Sequence, residues 1–140
     1  VRWAISCSAS NISSAACTSA SAPLARRIWA FFQPHTYTRT RALLGELAAS
    51  FDEADHVLVG EVYAAREKDT LGVSGRGIVD RMAHRDARFV STLEQATRTL
   101  CEELKPGDVL VTLGAGDGYL VGELVLAYLS GACACCSREL

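Results

Sequence analysis

Apolar and polar positions follow two alternating periods along residues 26–128. Residues 27–33 (RIWAFFQ) are a short apolar run stopped by Pro34, the pattern of a strand buried on both faces. Over residues 37–51 the period lengthens. Leu43, Leu44, Leu47, Ala48 and Phe51 recur at helical spacing with arginines opposite, which predicts one helix. Residues 56–63 (HVLVGEVY) are β-branched and apolar and predict a second strand. Ser74 caps a predicted helix over residues 74–83, whose inner face carries Ile78, Val79 and Met82. Residues 88–90 suit a short strand. Ser91 or Thr92 then caps a helix through Leu104, with Leu93, Ala96, Leu100 and Leu104 on one face and Pro106-Gly107 at its end. Residues 108–113 (DVLVTL) give the clearest strand, followed by the glycine-rich run 114–118 and a last helix. Strands alternating with helices of this length predict an α/β domain with a largely parallel sheet flanked by helices in three layers, a Rossmann-like arrangement.

Charge divides the chain. No charged side chain lies between Arg2 and Arg26, and after Glu123 there are only Arg138 and Glu139. Five of the six cysteines (Cys7, Cys17, Cys133, Cys135, Cys136) fall in these two end segments. The expected division is therefore an atypical, poorly packing segment at 1–25, the folded domain at 26–130 and a Cys-rich tail at 131–140. The N-terminal stretch SCSASNISSAACTSASA is too hydroxyl-rich for the apolar centre of a signal peptide. No uncharged apolar run reaches the roughly 20 residues of a membrane-spanning helix. The 140 residues carry 14 bases and 16 acids, net −2. That balance lacks the basic excess of a nucleic-acid binder, so neither nucleic acid nor membrane is an expected partner.

In parallel α/β sheets ligands bind at the carboxyl ends of the strands, where three loops carry candidate chemistry. The first is Gln33-Pro34-His35-Thr36-Tyr37-Thr38-Arg39-Thr40-Arg41, in which arginine forks suit a carboxylate or phosphate. The second is Tyr63-Ala64-Ala65-Arg66-Glu67-Lys68-Asp69, whose mixed charges read first as a solvated face. The third is Gly114-Ala115-Gly116-Asp117-Gly118, which supports either an anion-binding nest or a tight turn. It is not GxGxxG, and no Gly-Lys-Ser/Thr phosphate loop occurs in the chain. His56 and His84 read as surface residues. The Cys133–Cys136 spacing, with Cys7 and Cys17, matches no zinc module, and the thiols are expected reduced. No metal site and no catalytic Ser-His-Asp or Cys-His set is expected.

The segments Trp29-Ala-Phe-Phe-Gln33-Pro-His35-Thr-Tyr-Thr-Arg39-Thr40, Val62-Tyr63-Ala64-Ala65-Arg66-Glu67, Gly72-Val73-Ser74-Gly75, Pro106-Gly107-Asp108-Val109 and Thr112-Leu113-Gly114-Ala115-Gly116-Asp117 resemble, in order, the C-terminal domain of the Mur ligases. The agreement is strongest with the members that act on UDP-N-acetylmuramate and L-alanine. The resemblance implies a cytoplasmic ligase of peptidoglycan precursor synthesis that uses ATP and magnesium. Its carboxyl substrate is activated as an acyl phosphate, which the amine of the amino acid attacks. It further implies that the N-terminal and central domains lie outside this chain, so that the chain alone binds no cofactor and is inactive. By position, His35, Thr36 and Arg39 would hold the L-alanine side, with Thr36 standing where some members carry a basic residue. Tyr63, Glu67, Gly114, Gly116 and Asp117 would line the cleft. The alternative is a stand-alone Rossmann-like module that binds a small ligand without catalysis.

Overall fold

The computed structural model describes residues 27–68 and 72–130. The expectations for segments 1–25 and 131–140, and for the cysteines within them, lie outside the described residues. Four strands form one sheet: β1 (Ile28–Gln33), β2 (His56–Val59), β3 (Ala87–Phe89) and β4 (Val109–Gly114). Their order is β3-β2-β1-β4, and every pairing is parallel. Between them run α1 (Tyr37–Ala42), α2 (Leu44–Ala48), α3 (Gly75–Val79), α4 (Leu93–Glu103) and α5 (Tyr119–Leu129).

Alternation along β1 builds two cores. Trp29 and Phe31 face one side with Leu58, where α4 and α5 bring Ala96, Leu100, Val121 and Val125. Ala30 faces the other with Val57 and Val59, against Phe51 and Ile78 and with Leu44 packed alongside. Burying one leucine such as Leu100 contributes about 1.5–3 kcal/mol. The sheet with helices on both faces is the three-layer α/β arrangement the pattern predicts. Among the described residues no helix is long and apolar enough to cross a membrane.

Four local predictions change, the first being that the helix expected over 74–83 spans only Gly75–Val79, so Met82 lies beyond it. The single helix over 37–51 is two, because Leu43 leaves helical geometry at φ −107°, ψ 15°. Thr40, not a leucine, is the buried residue of α1. The strand over 56–63 stops at Val59. There Gly75 packs so closely on the Gly60 backbone that a Cβ on Gly75 would lie 2.0 Å from the Gly60 carbonyl oxygen. Finally, the His56 side chain is half-buried, 19% exposed, rather than at the open surface.

His56 belongs to a network across the amino ends of the strands. Asp108, 3% exposed, pairs with Arg27 at 2.6 Å and also accepts from the Lys105 amide. A second Arg27 nitrogen lies 3.3 Å from His56 Nε2. A guanidinium only donates, so Nε2 accepts and Nδ1–H donates to Asp86 at 2.5 Å. The His56 ring stacks on Trp29, with centroids 4.0 Å apart. Arg88 closes the network with two bonds to Glu103 (2.6 and 3.1 Å) and a contact to Asp86. His84 is also engaged. It accepts from the Asp86 amide through Nδ1 and so donates through Nε2 to the Ala54 carbonyl.

Candidate functional site

The chain runs β1, β2, β3 in one direction and then crosses back to place β4 on the other side of β1. A topological switch point therefore lies between the carboxyl ends of β1 and β4, where parallel sheets bind ligands. Gln33 ends β1 there, buried. Its amide nitrogen donates to Asp117 Oδ1 at 2.8 Å, and its carbonyl accepts from the Gly118 amide at 2.7 Å. Gly118 is the N-cap of α5 and has no side chain of its own to cap the helix, so a residue of β1 does so instead.

The three candidate loops meet at Tyr63. Beyond Gly60 the chain returns to the end of β1, where His35 and Tyr63 form an isolated parallel bridge and the Tyr63 amide donates to the Pro34 carbonyl at 2.8 Å. The His35 and Tyr63 rings stack with centroids 5.8 Å apart and planes inclined by 23°. Gly116 lies against the Tyr63 ring, and a Cβ there would come within 2.5 Å of Tyr63 Cγ. Glycine at 116 is thus a requirement of close approach. The remaining pair is Thr36 with Glu67. Thr36 Oγ1 donates to Glu67 Oε1 at 2.6 Å, and the Thr38 amide donates to Oε2 at 2.9 Å. These bonds hold the Glu67 carboxyl below the ordinary range, the Thr36 hydroxyl contributing most. Glu67 is thus a partner of the first loop and not merely solvated charge.

Beside this cluster a cleft of about 210 Å³ opens across the carboxyl ends of the sheet. Gln33, Glu61, Tyr63, Ser91, Thr92 and Asp117 supply its polar lining. Of the sequence-predicted residues, Tyr63 and Asp117 line it. His35, Thr36, Arg39, Glu67, Gly114 and Gly116 lie outside its wall, the first two and Glu67 bound to one another through Tyr63 and α1. Arg39 is exposed on α1 and makes no ion pair among the described residues. Sequence reasoning missed Gln33, Glu61, Ser91 and Thr92 as lining. Ser91 and Thr92 were legible as caps, and Thr92 does accept from the Gln95 amide. The signal that they also face a cleft was their place directly after a strand.

Among the described residues no group of three or more His, Cys, Asp and Glu is arranged to hold a metal ion. What the site offers is a small cleft of mixed polar and apolar lining, a cationic fork on an exposed helix and a tyrosine–histidine stack, at the switch point of a parallel sheet. That is the place and make-up at which parallel α/β domains generally bind ligands. Residues 4–116 match the model of the Mur ligase, glutamate ligase domain, and the chain belongs to that family. It is 44% identical over 103 residues to the UDP-N-acetylmuramate–L-alanine ligase of Alkaliphilus metalliredigens, covering 73% of this chain and 22% of that protein. It is 46% identical over 106 residues to the ligase of the same name from Roseiflexus castenholzii, covering 76% and 22%. With that of Syntrophobacter fumaroxidans it shares 44% over 110 residues, covering 76% and 24%. The chain thus spans about a fifth of the length of the curated relatives it matches.

Proposed function

We propose that this domain is the amino-acid-side, C-terminal domain of an ATP-dependent UDP-N-acetylmuramate–L-alanine ligase acting in the cytoplasm on peptidoglycan precursors. The observation that carries the reading is 44–46% identity, over about three quarters of the chain, to ligases of that name. The remaining domains of the ligase then supply the sites for ATP, magnesium and the muramate substrate. None of the groups described here is assigned to ATP or magnesium, and the 140-residue chain by itself turns over no substrate.

In this reading Arg39 presents its fork to the L-alanine carboxylate, and His35, held by Tyr63, orients the amine. Thr36 fixes the start of α1 between them. Tyr63, Asp117 and the glycines at 114 and 116 shape the neighbouring wall. In the complete ligase, Arg39→Ala removes one charge-assisted hydrogen bond worth about 1.5–3 kcal/mol. That lowers apparent alanine affinity roughly 10- to 150-fold. Steady-state kinetics with alanine varied decide the matter: an unchanged KM and turnover would refute the assignment of Arg39. Alanine-dependent phosphate release by the purified 140-residue chain would refute its inactivity.

A further inference from the structure

We propose that Glu67 is a positioning residue, a carboxylate supplied from the loop after β2 that sets the N-terminus of α1 and through it the presentation of His35 and Arg39. Its consequence for alanine rests on the function proposed above. The hydrogen-bond geometry rests on this chain alone.

Helix α1 has six residues, too few to hold together by helical propensity. Its own N-cap, Thr36, makes no side-chain cap bond, and its first turn carries no acidic residue. The hydroxyl that would cap the helix donates instead to Glu67 Oε1, and the Thr38 amide, which a cap would satisfy, donates to Glu67 Oε2. Glu67 therefore does from 29 residues away what an N-cap does locally, with a full negative charge at the positive end of the helix.

Glu67 is itself fixed. Its amide donates to the Ala64 carbonyl at 2.9 Å in a tight turn that puts Ala65 at φ 53°, a left-handed conformation. Tyr63, one residue before that turn, is tied to Pro34. The bonds close a ring: Pro34 to Tyr63, Ala64 to Glu67, Glu67 back to Thr36 and Thr38. His35 lies inside this ring and Arg39 one residue beyond it. A carboxylate with both oxygens engaged by the helix start is an alignment device, which a freely solvated glutamate is not.

The test has two arms. In the 140-residue chain, amide hydrogen exchange is measured for Glu67→Ala and Glu67→Gln. Thr38 should exchange about ten times faster in Glu67→Ala while the amides of α4 and α5 keep their protection. Glu67→Gln should fall between, since its amide keeps one acceptor oxygen and should fold even where the alanine variant does not. Unchanged Thr38 exchange in both variants overturns the proposal. In the complete ligase, Glu67→Ala should raise the alanine KM about tenfold with a much smaller effect on kcat. Glu67→Gln should restore part of that loss. Because part of the Glu67 effect runs through Arg39, the double variant should fall clearly short of the product of the two single effects. Effects that multiply overturn the positioning role. If Arg39→Ala itself leaves KM unchanged, the alanine reading fails, and the exchange arm still decides what Glu67 does.

Discussion

The two ends of the sheet treat charge in opposite ways. At the amino ends, Arg27, His56, Asp86, Arg88, Glu103 and Asp108 pair with one another and close over Trp29, leaving only the buried Arg88 Nε and Trp29 Nε1 there without a hydrogen-bond partner among the described residues. At the carboxyl ends, Arg39 is exposed and makes no ion pair among the described residues, and Asp117 has one oxygen bound by Gln33. The polar groups there hold the loops in place yet keep capacity for a ligand. Both ends are dense in polar residues, so density alone does not mark a site. Unsatisfied capacity next to a cleft does.

The comparison can be broken most forcefully at the amino end. Asp108→Asn weakens the pairing with Arg27 and with the Lys105 amide, and should cost about 2–3 kcal/mol. Chemical denaturation measures it, and a cost below about 0.5 kcal/mol, the range of an ordinary surface change, would make the network ornamental. At the carboxyl end, Gly116→Ala forces the added methyl into the Tyr63 ring and should cost about 1–3 kcal/mol. Tyr63→Ala in the same chain should recover part of that loss, which thermal melting of the single and double variants would show.

Acid should loosen the amino end in a defined window. Arg88 hydrogen bonds lower the Glu103 carboxyl from its ordinary 4.5. Burial pushes Asp108 up, but Arg27 and the Lys105 amide outweigh it and hold it below 3.8. Carboxyls lowered in the folded state bind fewer protons there than when unfolded. Their stabilisation is complete above the unfolded values and is lost as pH falls through the lower, folded ones. Denaturation midpoints should therefore decline below about pH 4.5, and the decline should be shallower in Asp108→Asn. The smallest expected effect is that of Arg39→Ala on folding. An exposed helix arginine with no ion pair among the described residues should change stability by no more than about 0.5 kcal/mol. A larger loss would mean that it carries packing rather than capacity.

How legible these features were in the sequence depends on range. The strands 28–33 and 109–114 and the helix capped by Thr92 rest on local apolar periods and local caps, so the pattern alone finds them. The early end of β2 does not, because Gly75 sets it from fifteen positions beyond Gly60. The break at Leu43 leaves no mark in the spacing of leucines, which runs on unperturbed. His35 and Arg39 were visible through family resemblance, whereas the use of Gln33 was not. A buried glutamine finds its partners 84 and 85 residues away, and no spacing rule reaches that far.

The ring of Tyr63, wedged between His35 and Gly116, also governs timing. Loops that share a ring and a closed circuit of hydrogen bonds cannot open singly. Their amides should lose protection together, as one cooperative fluctuation, slower than the nanosecond-to-microsecond motion of untethered loops. A ligand arriving at this edge then meets a surface already set, and its association rate is governed by encounter and not by waiting for a loop to settle.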